Sequence, residues 1–152
     1  IDVYNEGRMK RDFTYVDDIA TAVLLTLDTI PVIDPAWDSD QCDAGTSSAP
    51  FRIYNVGNQQ PTELTRFIEV LEDAIGVKAK KNLLPIQAGD VLDTFADVSC
   101  LRQAIGFCPD TPIELGIQRF VESGLGSNNH LIPILTNICL VLVSFQLSAS
   151  RL

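Results

Sequence analysis

The chain of 152 residues contains a single histidine, His130. None of its four cysteines, Cys42, Cys100, Cys108 and Cys139, stands at C-x-x-C spacing from another. Zinc sites draw their three or four ligands chiefly from those two residue types, so a zinc centre is excluded, and the cysteines read as free thiols of a reducing compartment. Cations are also scarce, with 11 Lys+Arg against 20 Asp+Glu and a formal net charge of -9. Neutralising a nucleic-acid backbone, or adsorbing to an anionic bilayer, needs a basic face, so neither partner is expected. There is no G-x-G-x-x-G or G-x-x-G-x-x-G run, and hence no turn of the kind that cradles a dinucleotide pyrophosphate. The opening residues Ile1-Asp2-Val3-Tyr4 carry neither the charged nor the apolar region of a secretory signal. They also lack an initiator Met and already read as strand, so the natural N-terminus is expected to lie upstream.

The chain has the apolar content (46%) and charged content (20%) of a globular protein and the length of one domain. Ile1 to Tyr4 reads as the end of a strand. Gly7-Arg8-Met9-Lys10-Arg11 packs three cations into a tight turn, and in so acidic a protein such a cluster points to a local anionic ligand rather than a polyanion. Phe13 to Val16, aromatic and β-branched, predicts a strand. Asp17 and Asp18 suit a helix N-terminus, where carboxylates meet free amides and the positive end of the dipole. Ala20, Val23, Leu24 and Leu27 then fall at i, i+3, i+4, i+7 and predict one apolar helix face, bounded by Pro31.

Residues 31–50 form a polar loop rich in Asp, Ser and Pro around Trp37. Ile53 to Val56 reads as a buried strand ending in a Gly57-Asn58 turn. Thr62 is placed to cap a helix whose face is Leu64, Phe67, Ile68, Leu71 and Ile75, and Gly76 closes it. Lys78 to Ile86 is a candidate strand. Asp97 would cap a short helix carrying Leu101, Ala104 and Ile105, stopped by Gly106. Thr111-Pro112-Ile113-Glu114 has the form of a capping box with Pro at the first helical position, ahead of Ile117, Phe120 and Val121. Strands alternating with helices imply an α/β fold. From Ser123 the character changes: Gly124, Gly126, Ser127, Asn128 and Asn129 read as a break. The stretch from His130 to Leu147 is then almost uncharged. Its apolar run from Leu131 falls short of the ~20 residues a spanning helix needs and is interrupted by Pro133 and Asn137, so a membrane is not an expected partner.

Four segments in order carry a family resemblance. They are Gly7 to Ile19, Ile53-Tyr54-Asn55-Val56-Gly57-Asn58, Leu84-Pro85-Ile86-Gln87-Ala88-Gly89-Asp90-Val91, and Thr94-Phe95-Ala96-Asp97 leading to Gly106-Phe107. Together they resemble the NAD-dependent nucleotide-sugar epimerases and dehydratases of the extended short-chain dehydrogenase/reductase group, most nearly UDP-glucuronate 4-epimerase. The resemblance implies the C-terminal, substrate-binding part of an extended Rossmann-type epimerase, incomplete in itself. It divides the chain into a nucleotide-sugar-binding segment, 1–122, and an apolar tail, 123–152, that matches nothing in the family and is not expected to belong to the fold. It also implies a cytoplasmic isomerase that uses NAD in its intact form and a UDP-sugar as substrate, and it leaves a homodimer open through helices upstream. The family's Tyr-x-x-x-Lys base is missing: four residues after Tyr4, Tyr15 and Tyr54 stand Arg8, Ile19 and Asn58. Neither NAD binding nor catalysis is therefore expected of this chain alone.

Three substrate-binding candidates follow from the resemblance. Arg11 stands where the family's arginine contacts a phosphate of the nucleotide sugar, and a guanidinium fork matches phosphate oxygens; the alternative is a surface pair with Asp12 or Asp17. Asp90 stands where the family's Gly-Asp carboxylate accepts hydrogen bonds from the ribose; the alternative is an Asx turn. Gln87 stands where several members of the wider group carry a second phosphate-binding arginine, and it fits the glucuronate subgroup. Arg8 and Lys10 read as solvated, Asn55 and Tyr54 as sheet residues, and Asp97 as a helix cap. No catalytic or metal residue is assigned. Two other readings remain: part of a nucleotide-sugar dehydratase or decarboxylase, and a truncated, non-catalytic product with a tail from another reading frame.

Overall fold

In a computed structural model, residues 1–41 and 43–125 are described. Their elements are β1 (Asp2–Tyr4), β2 (Lys10–Arg11), α1 (Val16–Leu27), β3 (Thr62–Glu63), α2 (Leu64–Ile75), β4 (Asn82–Leu84), α3 (Ser99–Ile105) and α4 (Ile113–Leu125). β1 and β4 pair in parallel with Val3 opposite Leu83, and β2 and β3 pair antiparallel with Arg11 opposite Thr62. The mixture of helices and short strands is the expected α/β class.

Two apolar clusters hold these elements. Ala22 of α1 meets Leu101 of α3 and Val98 just ahead of it, with Tyr54, Val56, Ala96, Ile105 and Phe107 around them. Val70 of α2 meets Ile117 and Val121 of α4, flanked by Phe67, Leu71, Ile75, Ile113 and Phe120. The predicted apolar faces are buried in α4, and in α2 with Val70 added, whereas in α3 Leu101 and Ile105 pack inward and Ala104 is exposed. Gly76 and Gly106 end α2 and α3 in the left-handed conformation that spares glycine a Cβ clash.

Several elements differ from expectation, each for a local reason. The strand predicted at Phe13 to Val16 lies earlier, at Lys10–Arg11. Beyond Arg11 the chain is pulled out of the ladder: Asp12 is held by amides of other loops, Phe13 stacks on Phe67 with centroids 4.3 Å apart, and Val16 already begins α1. Thr62 does not cap α2, since it lies in β3 and its hydroxyl donates to Gln60 O, while Glu63 takes the N-cap position. The Thr111–Glu114 box does not close. The amide of Thr111 donates instead to Asp18 Oδ2 of α1 at 3.1 Å, and Glu114 pairs with Arg66 at 2.9 Å. α4 runs to Leu125 and so takes in Gly124, the first residue of the expected break.

The largest departure concerns α1. Ala20 and the apolar face expected with it point outward: Val23 is 53%, Leu24 65% and Leu27 72% exposed, and Ala22 alone is buried. The strand predicted at Ile53 to Val56 is not formed among the described residues: the Ile53 amide donates to Gly45 O at 3.0 Å, and the side chains of Phe51 and Ile53 are exposed. The remaining expectations on 126–152, among them His130 and the apolar stretch 131–147, lie outside the described residues, as does Cys42. Among the described residues no helix is long and apolar enough to cross a membrane.

Candidate functional site

The site grows out of β2. In an extended segment, side chains alternate in direction, and here Met9 and Arg11 are buried while Lys10 faces solvent. The alternation breaks up the basic cluster read from the sequence. Arg8 pairs with Glu6 at the surface, Lys10 is solvated, and Arg11 alone is drawn inside.

Burying a guanidinium is costly unless its donors are used and its charge is met. Both conditions hold for Arg11. Its Nη1 donates to Lys10 O at 2.9 Å and to Leu92 O at 3.1 Å, and its Nη2 lies 3.5 Å from Met9 Sδ. Its charge is met by Asp90, whose Oδ1 lies 3.8 Å from Nη2, with the two side chains only 7% and 11% exposed. Two of the three candidates, 79 residues apart in the chain, are therefore brought into one ion pair. This replaces the alternative of a surface pair between Arg11 and Asp12 or Asp17. It also sets Asp90 facing the arginine rather than closing an Asx turn.

The loop that delivers Asp90 is tied to β2 by its backbone. Lys10 N donates to Leu92 O at 2.9 Å, Thr94 N donates to Lys10 O at 3.2 Å, and Lys10 bridges Asp93. Gly89, at φ +87°, allows the reversal that brings the amide of Asp90 onto Gln87 O at 3.2 Å. Gln87 itself is exposed on the same turn.

Sequence reasoning missed the neighbour that fixes this arrangement. Asp12 is 4% exposed, and its carboxylate accepts from the amides of Gln59 (3.1 Å), Gln60 (3.3 Å) and Ala96 (3.3 Å), while its own amide donates to Thr94 Oγ1 (3.3 Å). One carboxylate thus joins the end of β2, the turn after residue 57 and the segment before α3. Gly57 is needed there because a Cβ would stand 2.7 Å from Asp12 Oδ2 and 2.4 Å from Ala96 Cβ. The only sequence signal was the Gly57-Asn58 turn itself; no spacing rule links residue 12 to residues 59, 60 and 96. A second unforeseen group joins Arg102, Gln59 and Cys108. Arg102 Nη2 donates to Gln59 Oε1 at 3.0 Å and approaches Cys108 Sγ at 3.2 Å, which holds the guanidinium above its ordinary range.

The other candidates behave as structural residues. Asn55 Nδ2 donates to Asp97 O at 3.3 Å, and Tyr54 packs on the Ala22 cluster. Asp97 accepts the amide of Ser99 at 2.9 Å ahead of α3, and that bond lowers its carboxyl below the usual range. Among the described residues no group of His, Cys, Asp or Glu could hold a metal ion, and Cys100 and Cys108 are free thiols.

No family model matches the chain. Single relatives do. Over 122 residues it is 52% identical to an uncharacterised 37.6 kDa protein of Escherichia coli O111:H-, and over 124 residues it is 44% identical to a probable UDP-glucuronate 4-epimerase of Rhizobium meliloti strain 1021. Each match takes in 80% of this chain and 36% of the relative. Among solved structures, MoeE5 in complex with UDP-glucuronic acid and NAD superposes with a TM-score of 0.65 at 23% identity, over 84% of this chain and 37% of that one. The UDP-glucose 4-epimerase of Thermotoga maritima with UDP-glucose gives 0.65 at 20% identity, over 84% and 35%. The chain thus has relatives among UDP-glucuronate 4-epimerases and shares the fold of part of the NAD-dependent UDP-sugar epimerases. It spans about a third of the length of the relatives it matches, 36% for each of these two.

Proposed function

We propose that this chain is the nucleotide-sugar-binding part of an NAD-dependent UDP-sugar epimerase that interconverts UDP-glucuronate and UDP-galacturonate through a 4-keto intermediate. The observation that carries this reading is the 44% identity over 124 residues to a probable UDP-glucuronate 4-epimerase. The geometry of the Arg11–Asp90 pair gives it a chemical form.

A UDP-sugar presents a diphosphate, which needs cationic donors, next to a ribose, which offers hydroxyl donors. Arg11 and Asp90 answer those two demands side by side. In the folded chain each satisfies the other; on binding, the guanidinium turns to phosphate oxygens and the carboxylate to ribose hydroxyls. Arg11 trades one anionic partner for another, and Asp90 trades its cation for neutral hydroxyl donors, so neither buried charge is left without a hydrogen-bonding partner. Gln87, exposed on the same turn, adds a neutral amide donor and no further charge near a sugar that is itself a carboxylate. Holding the remote nucleotide in this way orients the sugar for chemistry done elsewhere.

The dinucleotide, when bound in the intact enzyme, would accept and return the hydride at C4. The residues of this chain do not fit it: the sequence has neither the glycine-rich turn nor Tyr-x-x-x-Lys. No hydride step is assigned to them, and the chain alone is proposed to be inactive. Free thiols at Cys100 and Cys108 support a reducing, cytoplasmic setting.

The test is to supply UDP-glucuronate and NAD to a protein of the relatives' full length carrying this segment, and to separate the products by anion-exchange chromatography. UDP-galacturonate is expected. A product that has lost carbon dioxide or water would move the protein to a decarboxylase or dehydratase. No turnover by a folded, NAD-loaded protein would contradict the proposal.

A further inference from the structure

The Arg11 fork has one end fixed and one end open to exchange. Nη1 is tied to two carbonyls, Lys10 O at 2.9 Å and Leu92 O at 3.1 Å, and Leu92 lies on the loop that carries Asp90. That loop is held on β2 in turn, since Lys10 N donates to Leu92 O and Thr94 N donates to Lys10 O. The guanidinium cannot withdraw from Asp90 without breaking bonds anchored in the backbone. Nη2 instead meets Met9 Sδ, a weak acceptor, at 3.5 Å and Asp90 Oδ1 at 3.8 Å. At 3.8 Å the contact with Asp90 is one of charge, longer than a hydrogen bond. Each group therefore neutralises the other while its own hydrogen-bonding capacity at that point stays unused.

The burial of the pair, at 7% and 11% side-chain exposure, makes that neutralisation matter. An anion that takes Nη2 has to displace Asp90, and a carboxylate so shut in then stands without a cation. A molecule that offers hydroxyls alone meets a carboxylate whose charge is already met. A ligand that brings anionic oxygens and hydroxyl donors together satisfies both groups in a single event.

We propose that the Arg11–Asp90 pair is a mutual lock, opened by a ligand that carries an anion and ribose hydroxyls on one molecule, so that the chain takes a ribonucleoside diphosphate and discriminates against its separate halves. This rests on the reading given under Proposed function and adds to it that the two contacts are coupled: each residue is the other's inhibitor as well as its companion in binding. Coupling has a consequence that two independent contacts lack. Neutralising one residue releases the other, so the variant gains affinity for one half of the ligand.

The test is titration calorimetry of the full chain with UDP, inorganic pyrophosphate and uridine. It compares the unmodified protein with Asp90→Asn, Arg11→Gln and Asp93→Asn, each confirmed folded by circular dichroism. In Asp90→Asn, pyrophosphate should bind about tenfold more tightly than to the unmodified chain, because Arg11 has lost its internal anion. The preference for UDP over pyrophosphate should shrink by more than that, since the ribose contact is weakened as well. The mirror variant Arg11→Gln releases the carboxylate and should tighten uridine. Asp93→Asn removes the same charge from an exposed position nearby, where solvent screens it, and should leave pyrophosphate binding unchanged. A folded Asp90→Asn or Arg11→Gln chain without its gain would overturn the lock, even where the unmodified chain binds UDP and the nucleotide-sugar reading stands. An equal gain in Asp93→Asn would also overturn it, because overall charge and not the pair would then govern the anion. Both gains in a chain that does not bind UDP would support the lock and remove the nucleotide from the reading.

Discussion

Replacing Asp12 with Ala should destabilise the chain by about 2–4 kcal/mol. The magnitude follows from what the carboxylate holds. Three amides, those of Gln59, Gln60 and Ala96, donate to it at 3.1–3.3 Å in a place where the residue is only 4% exposed. A buried donor left without a partner costs ~1–3 kcal/mol. One water entering the vacated space would satisfy part of the set, so two lost bonds at ~1–2 kcal/mol each give the estimate. For a folded region of this size the melting temperature should fall by on the order of 10 °C. Asp12→Asn keeps one acceptor oxygen, and its loss should be about half as large. The assay is thermal unfolding by circular dichroism, together with amide hydrogen exchange. Exchange at Gln59, Gln60 and Ala96 should accelerate in Asp12→Ala more than exchange in α2 and α4. A loss below ~0.5 kcal/mol, or unchanged exchange at those three amides, would refute the claim that one carboxylate ties the three segments together.

Other consequences are open to the same measurements. Leu101→Ala, at a fully buried position, should cost ~2–5 kcal/mol in thermal or urea unfolding, whereas Leu24→Ala, at 65% exposure, should change the isolated chain by less than ~0.5 kcal/mol. Gly57→Ala should destabilise by ~1–3 kcal/mol, because its Cβ would stand 2.4 Å from Ala96 Cβ. Glu72 is held at about 2 by a hydrogen bond from Lys81, helped by the Ala79 amide and Lys78, against an ordinary value of 4.5. Its folded value is depressed, so its stabilising contribution is present above pH ~4.5 and is lost as pH falls towards ~2. Glu72→Gln should flatten the acid limb of stability against pH in that window, and an unchanged limb would remove Glu72 from the account.

The legibility of the chain depended on how local each feature is. α2, α3 and α4 were readable because their apolar periodicity is satisfied by neighbouring elements, and their stops at Gly76 and Gly106 are single-residue events. The resemblance named Arg11, Asp90 and Gln87, but only the fold shows that Arg11 and Asp90 form a pair, since nothing in the sequence links positions 79 apart. The strand at Phe13 to Val16 failed because β propensity is weaker than the pull of three amides on Asp12 and of Phe67 on Phe13. The capping box failed because Asp18, far away in sequence, reached Thr111 N first. The apolar face of α1 was readable as a face, but not that it lies exposed among the described residues. Periodicity gives the face of a helix, not the identity of what covers it.

The central claim is that the Arg11–Asp90 pair is a nucleotide-sugar grip, and titration calorimetry of UDP into the full chain tests it most directly. Arg11→Ala and Arg11→Lys should be compared with the unmodified chain, each confirmed folded by circular dichroism. Losing one charge-assisted hydrogen bond of ~1.5–3 kcal/mol predicts a Kd weaker by about 10- to 100-fold in Arg11→Ala. Partial recovery is expected in Arg11→Lys, which keeps the charge but not the fork. A UDP affinity unchanged in a folded Arg11→Ala chain would contradict the account and remove Arg11 from the site.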